Sequence, residues 1–129
     1  MEKQWRQVRE FHEAFNHPVK DRPTFLDPER AHARAEWMKE EIAEFLQAQD
    51  VVGQADAMID LMYFCLGTMV EMGVNPEPLF EIVQNANMAK LWPDGKPRYR
   101  EDGKILKPEG WEPPEPKLKE EIERQLAGE

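Results

Sequence analysis

The sequence is poor in soft metal ligands and cross-linking residues. It has one cysteine, Cys65, and three scattered histidines, His12, His17 and His32, in 129 residues. A single thiol excludes an intrachain disulfide framework and a four-cysteine zinc site. No two histidines have the HExxH spacing of a helical zinc site. Cys65 lies in the apolar run Leu61–Val70, which points to a buried, inert thiol. Strand signals are scarce, and there is no internal repeat. The most apolar stretch, Ala55–Met72, carries two aspartates and a glutamate, which argues against a membrane span. The opening residues Met1-Glu2-Lys3-Gln4-Trp5 lack the apolar block of a signal peptide. A soluble cytoplasmic protein with no membrane partner is the expectation. Positive charge is also short. A net charge of -9 argues against a nucleic-acid partner, which needs a surplus of Lys and Arg.

Helical patterning fills much of the chain. Trp5, Val8, Phe11 or His12, and Phe15 recur at three- and four-residue steps and predict a helix over residues 2–16. Asp27-Pro28 opens a second helix, with Asp as cap and Pro at the first position. Its expected core stripe is Ala35, Met38, Ile42, Phe45, Leu46 and Gln49. Val51-Val52-Gly53 reads as the break, and a third helix runs from about Gln54 to Met72, closing at Gly73. Asn75-Pro76 opens a fourth, to about Leu91. Trp92–Pro116 then holds six of the eleven prolines and three of the seven glycines, with a hairpin predicted over Arg98–Leu106 around Asp102-Gly103. Lys117–Leu126 predicts a short last helix. The expected fold is all-α: one domain over residues 1–129, with a four-helix core (1–91), a loop segment (92–116) and a final helix (117–127).

The informative residues are acidic. Residues three or four apart share a helix face, so Glu41 and Glu44 point one way, as do Asp56 and Asp60. A short connection makes the two helices antiparallel neighbours. At 1.5 Å per residue, Glu44 and Asp60 both lie ~10 Å from the turn, so four carboxylates can converge between the helices. An average Glu on an amphipathic helix is a solvent-facing charge. The third helix differs: between Gln54 and Met72 its charged residues are Asp56, Asp60 and Glu71, and most other positions are apolar or small. A helix apolar all round is buried, and buried uncompensated carboxylates cost several kcal/mol each, on the order given by desolvation. Hard oxygen ligands without His or Cys suit Mg2+, or Mn2+, rather than zinc. So short a chain can hardly cover every face of that helix, which predicts a homodimer or homotetramer.

The basic residues cluster elsewhere. Residues 90–107 hold Lys90, Lys96, Arg98, Arg100, Lys104 and Lys107 against Asp94, Glu101 and Asp102, a local +3 that leaves -12 on the rest. An acidic metal site with a basic segment suits a polyphosphate compound, the metal taking some phosphate oxygens and Lys or Arg the others. Arg98 and Arg100 alternate on a predicted strand and so point together. Asn87 and Lys90 end the fourth helix facing one side. A solvated basic loop and a purely helical interaction dimer are the competing readings.

Glu40-Glu41-Ile-Ala-Glu44 followed by Asp56-Ala-Met-Ile-Asp60-Leu-Met-Tyr63 resembles the MazG-like all-α nucleoside triphosphate pyrophosphohydrolases. Val83–Leu91, Asp94-Gly-Lys-Pro97 and Glu101–Trp111 resemble the phosphoribosyl-ATP pyrophosphohydrolase-like branch. The resemblance spans about Phe11–Pro114. It implies cleavage between the α- and β-phosphates of a nucleotide substrate, giving a monophosphate and pyrophosphate. It also implies Glu41, Glu44 and Asp60 as metal ligands, with Asp56 as a fourth, Glu40 as a general base or a ligand to a second metal, and Glu41 as the other carboxylate acting in catalysis. Tyr63, Asn87 and Lys90 match nucleotide-contacting positions, and Lys96, Arg98 and Lys104 match phosphate contacts. Where the family pattern places a glutamate three residues before the second aspartate, this chain has Ala57, and the acid stands one residue earlier as Asp56. A binding module that holds a metal-nucleotide without cutting it would use the same residues.

Overall fold

The computed structural model describes residues 1–128; Glu129, the last residue of the expected domain, lies outside them. The described residues form five helices: α1 (Glu2–Ala14), α2 (Pro28–Gln47), α3 (Val51–Met72), α4 (Pro76–Met88) and α5 (Glu115–Leu126). Among them the only β pairing is an isolated antiparallel bridge, Tyr99–Ile105. The fold is all-α, as the patterning predicts.

The helix starts follow from capping chemistry. The Asp27 carboxylate accepts from the Glu29 amide at 2.9 Å, and Asn75 Oδ1 accepts from the Glu77 amide at 3.0 Å, each followed by a proline that has no N–H to satisfy. The α2–α3 break differs from the sequence reading. Val51, Val52 and Gly53 form the first turn of α3, because the Asp50 carboxylate caps it by accepting from the Gly53 amide at 2.8 Å. The turn is Ala48–Asp50, and the low helix propensity of two valines and a glycine is overridden by the cap. Likewise α4 ends at Met88, with Ala89 and Lys90 in a turn.

α3 is the spine. α2 packs antiparallel along it, α1 packs on another side, and α5 packs on α4. Gly73 ends α3 at φ 69°, and α4 leaves at a bend of 116°. No single described helix is long and apolar enough to cross a membrane; α3 and α4 pass such a test only jointly, across that bend. The predicted hairpin is present: the Leu106 amide donates to the Arg98 carbonyl at 2.7 Å and the Arg100 amide to the Lys104 carbonyl at 2.8 Å, with Gly103 at φ 86° in the turn.

The expected stripe is covered only in part, with Ala35, Met38 and Phe45 half-buried. Ile42 and Leu46 are exposed, and so is Gln49. The face that meets α3 is Arg34, Trp37, Glu41 and Glu44. Arg34 is buried against α3, its Nε donating to Thr68 Oγ1 at 2.7 Å and Nη2 to the Phe64 carbonyl at 3.1 Å. Glu71, whose side chain is 0% exposed, takes the Arg34 Nη1 and two bonds from Arg30 at 2.7 and 3.0 Å. Burial pushes the Glu71 carboxyl up, but the Arg30 hydrogen bond and the Arg34 charge outweigh it and hold the group below its ordinary range. Hydrophobicity alone misplaced this face because paired charges can be buried when they satisfy one another. Cys65 is corrected as well. It is exposed, on a side of α3 that also leaves Ile59 and Met62 open.

Gly73 is the position that least tolerates a side chain. Its backbone is left-handed, and an added Cβ would run into the Arg22 carbonyl. The Gly73→Ala variant should be less stable by at least ~1–2 kcal/mol, the cost of the left-handed conformation alone. The check is a lower urea midpoint at unchanged slope.

Candidate metal centre

Three of the predicted acids meet. One ligand oxygen from each of Glu41, Glu44 and Asp60 lies within 4.8 Å of the others. α2 supplies the two glutamates one turn apart, and α3 supplies Asp60 from across the antiparallel contact. Trp37, one turn before Glu41, stacks on Phe64, one turn beyond Asp60, at 6.0 Å between ring centroids. That aromatic rung closes one end of the cluster.

The electrostatics are those of crowded anions. Burial pushes the Glu41 carboxyl above its ordinary value, and hydrogen bonding to Glu44 and the charges of Glu44, Asp60 and Asp56 push it the same way. Burial raises Asp60 as well, followed by the charges of Asp56 and Glu44. Glu41 Oε2 is buried with no hydrogen-bond partner. A buried carboxylate oxygen without a donor is costly, and most such atoms in folded proteins are paired. An all-oxygen donor set with one orphaned oxygen fits a hard divalent cation such as Mg2+ or Mn2+.

The other predicted residues divide. Asp56 is exposed and stands outside the close group, although its charge reaches both Glu41 and Asp60. Glu40 is exposed beside Glu41 on the helix and is likewise not in the group. Tyr63 is 42% exposed and sets its ring edge-on to Phe11 of α1, at 5.6 Å. Asn87 lies in the last turn of α4 and Lys90 just after it, while Lys96, Arg98 and Lys104 are exposed on the hairpin segment. Arg98 stacks on Trp92 at 4.1 Å, and Lys90 and Lys107 approach the Trp111 ring at 5.6 and 4.6 Å. Among the described residues, no hydrogen bond or ion pair joins these basic side chains to α2 or α3. The network of half-buried Arg30 with buried Arg34 and Glu71 escaped the sequence reading. Its signal was available: two arginines four apart on α2, facing the one glutamate near the end of an apolar helix.

The described residues thus form an all-α protein in which a helical hairpin presents clustered carboxylates between its arms. Residues 8–87 match the phosphoribosyl-ATP pyrophosphohydrolase family, a span that contains every predicted acid together with Tyr63 and Asn87. The fold also matches a crystal structure from Exiguobacterium sp. 255-15, of a protein proposed to be an NTP pyrophosphohydrolase. The two are 39% identical, the match covers 97% of this chain and 96% of that one, and the TM-score is 0.59. A search of curated proteins gives no significant match. The chain belongs to the phosphoribosyl-ATP pyrophosphohydrolase family.

The raised carboxyls set the sign of a pH effect. A carboxyl whose pKa is higher in the folded than in the unfolded chain binds more protons when folded, so stability falls as pH rises from the ordinary carboxylate range through the raised values. Urea unfolding of metal-free protein should follow that fall. Glu41→Gln should flatten it and be the more stable form above it.

Proposed function

We propose that this chain is a Mg2+-dependent nucleotide pyrophosphohydrolase that cleaves a nucleoside triphosphate or related compound between its α- and β-phosphates, releasing pyrophosphate. The observation that carries the reading is the orphaned, buried Glu41 oxygen inside a three-carboxylate cluster, in a chain of this family.

On this reading Glu41, Glu44 and Asp60 hold the cation, with Asp56 joining through its charge or an intervening water. Mg2+ (or Mn2+) held there supplies Lewis-acid polarisation of phosphate oxygens and lowers the pKa of water. The residues do the rest. Glu41 and its neighbour Glu40 are the carboxylates placed to accept a proton from the attacking water. Asn87 and Lys90, with Lys96, Arg98 and Lys104, contact nucleotide and phosphate, and Tyr63 walls the nucleotide side. Arg98 and Lys90 rest on tryptophan faces, which hold a cation in place without neutralising it.

The chain works as a homo-oligomer in the cytoplasm. Ile59 at 59%, Met62 at 54% and Leu46 at 76% exposure leave apolar surface on the two helices that carry the acids. A second copy covers that surface at the least cost in new chemistry.

Pyrophosphate release over a panel of canonical, deoxy and modified triphosphates tests the reaction. Folded Glu44→Gln and Asp60→Asn should each lose roughly a hundredfold or more in kcat, the scale of losing one electrostatic stabiliser. Undiminished turnover in both would sink the site assignment. Tight nucleotide binding with no turnover across the panel would instead favour a binding module. Separately, light scattering should find the unmodified protein to be at least a dimer and Met62→Glu shifted towards monomer.

A further inference from the structure

The α2–α3 contact is a ladder of three rungs. At the α4-proximal end stands the buried ion pair of Glu71 with Arg30 and Arg34. Next is the Trp37–Phe64 stack at 6.0 Å, with the Arg30 and Arg34 guanidinium carbons 5.1 and 5.4 Å from the Trp37 ring centre. Then come Glu41 and Glu44 with Asp60. On α2 the rungs follow one another at about one turn, and on α3 Phe64 lies about one turn from Asp60 and two turns from Glu71, so a shift of one helix along the other moves every rung together. Glu71 stands 11 residues beyond Asp60 on α3, ~16 Å along the axis.

The two ends pull in opposite senses. Three carboxylates within 4.8 Å drive the helices apart when no cation is between them. The other end attracts, and it is directional. Arg34 makes bonds to Glu71, Thr68 Oγ1 and the Phe64 carbonyl, so both its depth and its rotation on α3 are fixed. Gly67 permits this approach, since a Cβ there would lie 2.6 Å from Arg34 Nη2 and 2.8 Å from His12 Nε2. Such an arrangement holds register in a way that an apolar contact, which has no direction, does not.

We propose that Glu71, with Arg30 and Arg34, is a positioning clamp for the carboxylate cluster, holding α2 and α3 at the spacing and register that keep Glu41, Glu44 and Asp60 within reach of one divalent cation. The inference rests on the reading of that cluster as a cation site. These residues touch neither substrate nor cation and act through helix position.

Mn2+ binding to the full chain, followed by the electron paramagnetic resonance of free Mn2+, tests it. Two clamp variants are compared with Val8→Ala, a core truncation on α1 chosen as a control for lost stability. Arg34→Met with Glu71→Met removes the two fully buried charges together and leaves Arg30, whose side chain is 31% exposed, to turn to water. Arg34→Lys is the milder change, keeping the charge and losing the forked bonding to Thr68 and Phe64. The Mn2+ dissociation constant should rise about tenfold in the double variant and severalfold in Arg34→Lys, in the range seen when outer supports of a metal site are lost. It should stay within about twofold in Val8→Ala, the margin for a site whose geometry is untouched. Folded Arg34→Lys with wild-type Mn2+ affinity overturns the clamp, as does an equal loss of affinity in Val8→Ala. If the unmodified chain binds no Mn2+, the cation reading fails and the clamp's role fails with it.

Discussion

Like charges brought within one ion's reach of each other are the constraint on which the rest of this fold turns. Glu41, Glu44 and Asp60 repel one another when all are ionised, and burial compounds the cost, in line with the raised carboxyls of Glu41 and Asp60. A helical hairpin that carries such a cluster needs stabilisation from elsewhere along the same contact. It has that in the Trp37–Phe64 stack and in the paired charges of Arg30, Arg34 and Glu71. The α2–α3 interface therefore carries paired charges, and Ile42 and Leu46 of α2 are displaced outward.

That displacement explains which parts of the structure could be read in the sequence. Capping chemistry is local, so Asp27-Pro28 and Asn75-Pro76 marked the starts of α2 and α4, and Gly73 marked the end of α3. The acidic pairs were legible because helical spacing alone puts Glu41 with Glu44, and because a short connection sets their height against Asp60. The start of α3 was not legible. Val51, Val52 and Gly53 are poor helix formers, and it took the Asp50 side chain, seen in its bonding geometry, to show that they are helical. The inner face of α2 was also hidden. A pattern search assigns burial to Ile42 and Leu46, whereas the buried residue at that contact is Arg34, at 3% exposure. Its burial depends on Glu71, 37 residues away, and on a glycine that admits it. Asp56 falls between the cases. The spacing places it on the face of Asp60, but one turn nearer the bend it is exposed and outside the close group.

The exposed apolar residues follow from the same constraint. With its inner face committed to charges and aromatic rings, α2 carries Ile42 and Leu46 outward, and α3 leaves Ile59, Met62 and Cys65 open. The sequence argument for a partner subunit was that four helices could not cover all of α3. Among the described residues α2 and α1 pack on two sides of α3, and α4 turns away at 116°.

The charge asymmetry of the chain acquires a physical role on the proposed reading. A phosphate chain approaching a body of net -12 is repelled, and a cation at the carboxylates offsets only part of that. Basic groups that meet the phosphates must be ordered, to limit the entropy lost on binding, yet not already neutralised. The segment after α4 separates the two requirements. Arg100 is neutralised in place by Asp102, at 2.6 Å, and steadies the hairpin turn. Arg98, Lys90 and Lys107 are steadied by the faces of Trp92 and Trp111, and among the described residues no carboxylate pairs with them. A cation on a ring face keeps its N–H edges free to donate. The two tryptophans are fixed in turn by their own N–H groups, Trp92 to the Leu106 carbonyl at 3.1 Å and Trp111 to the Ala86 carbonyl at 2.8 Å. Order thus passes from backbone carbonyl to indole to free cation, which is what a site for a multiply charged anion requires when the rest of the protein is acidic.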